Sequence, residues 1–183
     1  MKAYKISLAG DIGSGKSTVG AILSKKYGLE TISIGYILRD MAKEYGMNVN
    51  EFNSYMESHK EIDYVLDGKL KEYEDKDGKY LFDSRMAWHF VPSSFSVYIK
   101  VSYETAAKRI ISAGRSSEQY KTLEEAVKSI KTRHESEAGR YKNLYKVDVL
   151  NYDNYDLVVD TNGKTPEEIA TEISLAFEKW LKS

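Results

Sequence analysis

The chain has 183 residues, 42% of them apolar and 30% charged, which is the balance of an ordinary globular domain with one buried core. Lys and Arg total 27 against 28 Asp and Glu, a net charge of -1, so there is no overall basic field to hold nucleic acid or an anionic membrane. With no Cys, disulfides, thiolate metal sites and a cysteine nucleophile are excluded.

The opening "MKAYKISLAG" lacks the basic, long apolar and small-residue regions of a secretory leader. No apolar run nears the roughly 20 residues that span a bilayer, so a cytoplasmic location is expected. The 15 Tyr suit amphipathic boundary positions, and some are able to stack on a base.

"YKISLA" (4–9) reads as a buried strand running into the glycine-rich "GDIGSGKS" (10–17), and Val19, Ile22, Leu23 and Tyr27 then fall at helical spacing before Gly28. A second strand is predicted over 29–34, "LETISI", followed by a helix from "GYILRD" with Gly46 ending it. Asn48 with Glu51 three residues on is a capping pair, and short helices are predicted at 49–58 and 61–74. "DKDG" is a turn, "KYLFD" a third strand and "FSVYIKV" a fourth. Ser102 caps a helix running to about 113, and "AGRSSEQY" has loop composition. A long charged helix follows from Thr122, with Glu125 completing a capping box, to about 145. "YDLVVD" supplies a fifth strand and "TPEE" opens the last helix. This alternation predicts an α/β fold, a parallel sheet covered by helices on both faces, with ligands at the carboxyl ends of the strands.

Gly10, Gly15, Lys16 and Ser17 match G-x-x-x-x-G-K-[ST]. In such a loop the backbone N–H groups turn onto phosphates, the lysine reaches the outer phosphates of a nucleotide and the hydroxyl ligates Mg²⁺. Residues 10–18 (Gly10, Asp11, Ile12, Gly13, Ser14, Gly15, Lys16, Ser17 and Thr18) are therefore the candidate ATP site. Asp83 ends the third strand and would hold Mg²⁺ with Ser17, directly or through its waters, and Arg85 shares its rim. Arg39, early in the second helix, suits either a solvated helix face or a bidentate grip on phosphate. Arg133, Glu137 and Arg140 share a helix face, as a surface ion-pair ladder or as phosphate ligands. His59, His89 and His134 lack metal-ligand spacing and receive no role.

In order and spacing, the P-loop, "SIGYILRDMA", "DSR" and "RHESEAGR" resemble the cytidylate kinase family, especially its short, archaeal-type branch, over nearly the whole chain. That resemblance implies a P-loop three-layer sandwich with a five-stranded parallel sheet, a core of residues 1–45, 76–112 and 146–183, an acceptor-binding insertion at 46–75 and a helical lid at 113–145. It implies ATP and Mg²⁺ as donor and cofactor, and (d)CMP as acceptor. Ser33, Arg39, Asp63, Asp83, Arg85, Arg133 and Glu137 would bind the acceptor, with Arg133 and Glu137 at its sugar, and Lys16, Arg85, Arg133 and Arg140 would act on the transferred phosphate.

"DTNGKTP" matches the place where the family passes the donor base. The chain departs from the pattern at Ser84, where a glycine is usual, and at Ala113, where an arginine is expected; Arg115, two residues on, would take that arginine's place at the ATP with a shifted loop. It departs again at "GKL" after "EIDYVLD", within the segment that reads the base. Kinases for AMP, UMP or a small metabolite, and a non-catalytic ATP-binding regulator, are the competing readings. A monomer without nucleic-acid or membrane partners is expected.

Overall fold

The computed structural model describes residues 3–113 and 120–183. Five parallel strands, β1 (Lys5–Gly10), β2 (Glu30–Ser33), β3 (Tyr80–Asp83), β4 (Phe95–Lys100) and β5 (Leu157–Asp160), lie in the order β2-β3-β1-β4-β5. The central strand β1 is buried at every residue. Its register aligns Leu8 with Asp83 on one side and Gly10 with Ile99 on the other, so the ends of β1, β3 and β4 open onto one rim.

Successive strand residues face opposite layers, as the pleat requires. Ile6, Leu8, Leu81, Val97 and Ile99 pack with Val19 and Leu23 of α1 (Lys16–Tyr27) and Ile169, Ile173 and Phe177 of α8 (Pro166–Lys182). On the other face Tyr80 and Phe82 join residues of α2 (Ile34–Glu44), α3 (Val49–Ser58), α4 (Lys60–Lys71) and α5 (Ala87–Phe90). A smaller cluster unites Ile12 with α6 (Tyr103–Ser112) and α7 (Leu123–Tyr145), through Ala106, Ile110, Ala126 and Ile130. No helix among the described residues is long and apolar enough to cross a membrane.

The punctuation expected from the sequence is largely present. Gly28 ends α1 in the left-handed region, Asn48 and Glu51 form a complete capping box, and Thr165 does the same with Glu168 under Pro166. Thr122 accepts from the Glu125 backbone, but the Glu125 carboxylate accepts from the N–H of Lys121 instead of closing the box. The predicted strand over 29–34 is shorter than expected, because Ile34 enters α2 and buries against its helical neighbours. Gly35 therefore lies inside the first turn of α2. The four-residue α5 and a 3-10 turn at Tyr152–Asn154 were not predicted, since one turn carries no readable period.

Candidate active site

The glycine-rich loop leaves β1 at Gly10, where φ is 145° and an added Cβ would fall 2.2 Å from the carbonyl oxygen of Ile99. At Gly13, φ is 75° and a Cβ would meet Ala106 of α6 at 2.9 Å. Both positions need glycine, one for its dihedral and its neighbouring strand, the other because α6 packs on the loop. Gly15 occupies the N-cap of α1 and brings no side-chain cap, so the first N–H groups of α1 stay available to an anion and the helix dipole favours it.

Lys16 folds back over the loop, its Nζ donating to the carbonyl oxygens of Gly10 (3.0 Å) and Asp11 (2.9 Å). Burial, with the Arg85 charge in support and the Asp83, Asp11 and Glu137 carboxylates opposing, lowers its pKa to about 8. Ser17 Oγ donates to Asp83 Oδ2 at 3.1 Å, and Ser33 Oγ, at the end of β2, donates to the same oxygen at 3.3 Å. This hydroxyl-and-carboxylate set matches the hard oxygen donors that Mg²⁺ takes beside water and phosphate. Among the described residues no group of three or more His, Cys, Asp or Glu gathers into a metal cage.

Lys16, Ser17 and Asp83 line a cleft of about 120 Å³ with Gly35, Arg39, Ser84, Arg85, Arg133 and Tyr141, and Ser33 lies behind Asp83 outside that lining. Arg39 crosses the Tyr36 ring at 4.6 Å, with Nη1 3.7 Å from where a Gly35 Cβ would stand. Ser84 is buried, its Oγ accepting the Met86 N–H, and this bond starts the turn that leads into α5.

Glu137 is only 3% exposed, yet it is charged. Arg85 Nε lies 2.8 Å from one carboxylate oxygen and Arg133 Nε 3.0 Å from the other. Burial by itself would raise its pKa, but Arg85, Arg133 and Arg140 outweigh burial and hold it at about 2. The Arg133–Glu137 pair within α7 is thus buried, not the exposed ladder that spacing also allowed, and the Arg85–Glu137 pair bridges α7 to the turn after β3.

Arg140 and Asp63 do not line that cleft. Arg140 Nε sits 3.0 Å from Asp63 Oδ2 of α4, both side chains 3% exposed, beside a separate cavity of about 470 Å³. One turn on, Asp67 accepts the Tyr145 hydroxyl at 2.5 Å, and burial pushes its carboxyl up to about 6. Further contacts join α3 to α7: Asn50 Nδ2 donates to Ser129 Oγ at 3.1 Å and the Ser136 hydroxyl donates to Glu57. Arg115 lies outside the described residues.

A second cavity, about 330 Å³, opens on the far side of Gly13, Ser14, Gly15 and Thr18, between α6 and the segment entering α8. Arg109 lines it together with Ala113, Lys164 and Pro166, and donates to the Ser14 carbonyl (3.3 Å) and to Thr161 (2.8 and 3.1 Å). No motif in the sequence marks Arg109. Its signal was an arginine one helical turn before Ala113, on the face toward "DTNGKTP".

Residues 5–163 match the cytidylate kinase-like family. The chain is 36% identical to a cytidylate kinase of Thermoplasma volcanium over 91% of its own length and 87% of the relative's. It is 37% identical to an S-adenosylmethionine-dependent nucleotide dehydratase of Lacinutrix mariniflava over 96% of this chain, which spans only 36% of that protein. Among solved structures, shikimate kinase from Bacteroides thetaiotaomicron superposes with a TM-score of 0.66 at 16% identity, covering 95% of this chain and 98% of the other, a likeness of fold. This chain, with its P-loop, Mg²⁺-compatible oxygens and arginine-lined cleft on one sheet rim, belongs to the cytidylate kinase-like family and is a P-loop, ATP-dependent phosphotransferase.

Proposed function

We propose that the chain is a nucleoside monophosphate kinase that transfers the γ-phosphoryl group of ATP to CMP or dCMP. The observation that carries this reading is the single cleft in which Lys16, Ser17 and Asp83 face Arg39, Arg85 and Arg133. Relatives named as cytidylate kinases support cytosine as the base.

The acceptor's attacking oxygen is already anionic at neutral pH, so the site needs position and positive charge more than a general base. In this reading the loop amides and Lys16 grip the donor's outer phosphates, and the cavity beside Arg109 and Lys164 takes the donor base. Arg39 and Arg85 hold the acceptor phosphate, Ser33 and Asp83 orient it, and Arg133 with Glu137 reaches the sugar. Mg²⁺, held by Ser17 and Asp83, would neutralise charge on the donor phosphates. Residues 46–75 serve as the acceptor-binding insertion and 113–145 as the lid, the core being 1–45, 76–112 and 146–183. Arg140 joins the reacting phosphates on release from Asp63.

A panel of CMP, dCMP, AMP and UMP with ATP and Mg²⁺, read by ADP release, tests the assignment: CMP or dCMP is expected to be turned over fastest. A faster AMP or UMP reaction would reassign the acceptor, and ATP binding with no acceptor-dependent turnover would make this a binding protein. Arg39→Ala is expected to raise the acceptor KM by about 100-fold, the loss of a charge-assisted bidentate contact, with ATP affinity held within twofold. Unchanged acceptor KM and kcat would remove Arg39 from the site.

The Lacinutrix relative favours a second reading for the product. There, a segment similar to this chain sits within a nucleotide dehydratase, so the nucleotide formed here would pass to a further nucleotide-modifying reaction. Whether that dehydratase consumes the product identified by the panel is the direct test.

A further inference from the structure

The proposed chemistry leaves one carboxylate of the phosphate loop unused. Asp11 is 8% exposed, and the partners of its carboxylate lie outside the loop. Oδ1 accepts the Tyr98 hydroxyl at 2.6 Å, and Oδ2 accepts the Val101 N–H at 2.8 Å, both from the end of β4. The third partner comes from α7: His134 Nε2 is 3.3 Å from Oδ1. On its other side the imidazole Nδ1 is 2.9 Å from the Tyr103 hydroxyl at the start of α6.

The ring's protonation follows from these neighbours. Burial lowers the His134 pKa, Arg85 and Lys16 repel its cation, and Asp11 and Glu137 oppose them. The net direction is downward, so the ring is neutral at neutral pH. With its proton on Nε2, it donates to Asp11 and accepts at Nδ1 from Tyr103, and every contact is satisfied.

The placement matters because of what lies on either side. Lys16 rests on the Asp11 carbonyl, so the backbone that Asp11 anchors also carries the phosphate-gripping ammonium. On α7, Arg133 immediately precedes His134, and Glu137, which holds Arg85, follows three residues later. One imidazole therefore ties the donor loop to the helix turn that faces the acceptor.

We propose that His134 is a positioning residue that couples the two substrate sites, so that filling the donor loop orders the Arg133–Glu137–Arg85 set and an occupied acceptor site orders the loop. The inference rests on the kinase reading above. Coupling of this kind is reciprocal: each nucleotide tightens the other by the same factor, and the loss of the link lowers both equally. Nothing in it requires His134 to touch a substrate.

The side-chain geometry supplies its own control. In Gln the amide nitrogen reaches about as far as Nε2, whereas in Asn it reaches only about as far as Nδ1. The experiment measures the Kd of CMP, AMP and UMP in turn, by calorimetry on the full chain, with and without a non-hydrolysable ATP analogue and Mg²⁺. Expected is a wild-type coupling factor of about fivefold or more, retained within twofold by His134→Gln and lost by His134→Asn. Each single-ligand Kd is expected to stay within twofold, and the melting temperatures of the two variants to match.

Equal coupling in wild type and His134→Asn would overturn the proposal, as would a wild-type enzyme that turns over a monophosphate with no coupling at all. Loss of coupling in both variants together with a shared drop in melting temperature would assign the ring to packing and overturn it too. A wild-type chain that turns over no monophosphate would overturn the kinase reading and this inference with it.

Discussion

Lys16→Met is expected to lower kcat by about 10³-fold while the protein melts at a higher temperature than the wild type. In the proposed reaction the first effect follows from removing the ammonium of Lys16 from the transferred phosphoryl group, where a single preorganised donor is worth two to three orders of magnitude. The second follows from the sign of its pKa displacement. Burial lowers the folded-state value to about 8 from an ordinary 10.5, so the charge costs stability below pH 8, and that cost is relieved as the pH rises toward 10.5. The site carries this unfavourable charge because a bound phosphate repays it.

Nucleotide binding above pH 8 should therefore take up a proton, and affinity should fall by up to about tenfold per pH unit as the free lysine deprotonates. Calorimetry between pH 7.5 and 9 in buffers of different ionisation enthalpy reads this directly. A buffer-independent heat, or a Lys16→Met variant that retains kcat, would refute the role.

Glu137→Gln should be the most damaging single change to the fold near the site. Arg85 and Arg133 meet on this buried carboxylate, and removing its charge takes away the buried counter-charge they share, at a cost of about 3–5 kcal/mol. The pH dependence identifies the mechanism. With its folded pKa held at about 2 against an ordinary 4.5, Glu137 contributes stability that is fully present above pH 4.5 and is lost as the pH falls toward 2. That loss amounts to ~3 kcal/mol, taken from the size of the displacement.

The variant should lack this acid-dependent loss. The opposite contribution of Asp67, whose pKa is raised to about 6, is common to both proteins and cancels in the difference. Melting curves of the two proteins from pH 5 to pH 2 test this; parallel profiles would mean that Glu137 is not the ionised centre of the cluster. The acceptor KM should rise as well, because Arg85 and Arg133 lose the group that aims them.

Much of this protein is legible in one dimension because the relevant physics is local. The phosphate loop requires glycines at fixed spacing, the strands β1 and β4 are apolar runs, and Asn48, Thr165 and Gly28 carry helix-end chemistry within three or four residues of where it acts. The parallel order of the sheet follows from strand–helix alternation, and the place of Asp83 opposite Ser17 follows from ligands gathering at strand ends. Spacing alone left Arg39 and the Arg133–Glu137–Arg140 set open between surface charge and site.

Those choices belong to tertiary structure, since they depend on which elements meet. That Glu137 draws in Arg85 from 52 positions away in the chain was decided by packing α7 over the turn after β3. So was the burial of Arg140 against Asp63 outside the phosphate cleft, although Arg140 shares a helix face with Arg133, which lines it. Arg109 and His134 show the same limit from the other side. Their local sequence is that of ordinary helix, and only the approach of α6 and α7 to the loop brings one to Ser14 and the other to Asp11. Hydrogen bonds and ion pairs between distant segments depend on atoms a few ångströms apart in space, and no period or spacing along a chain records that distance.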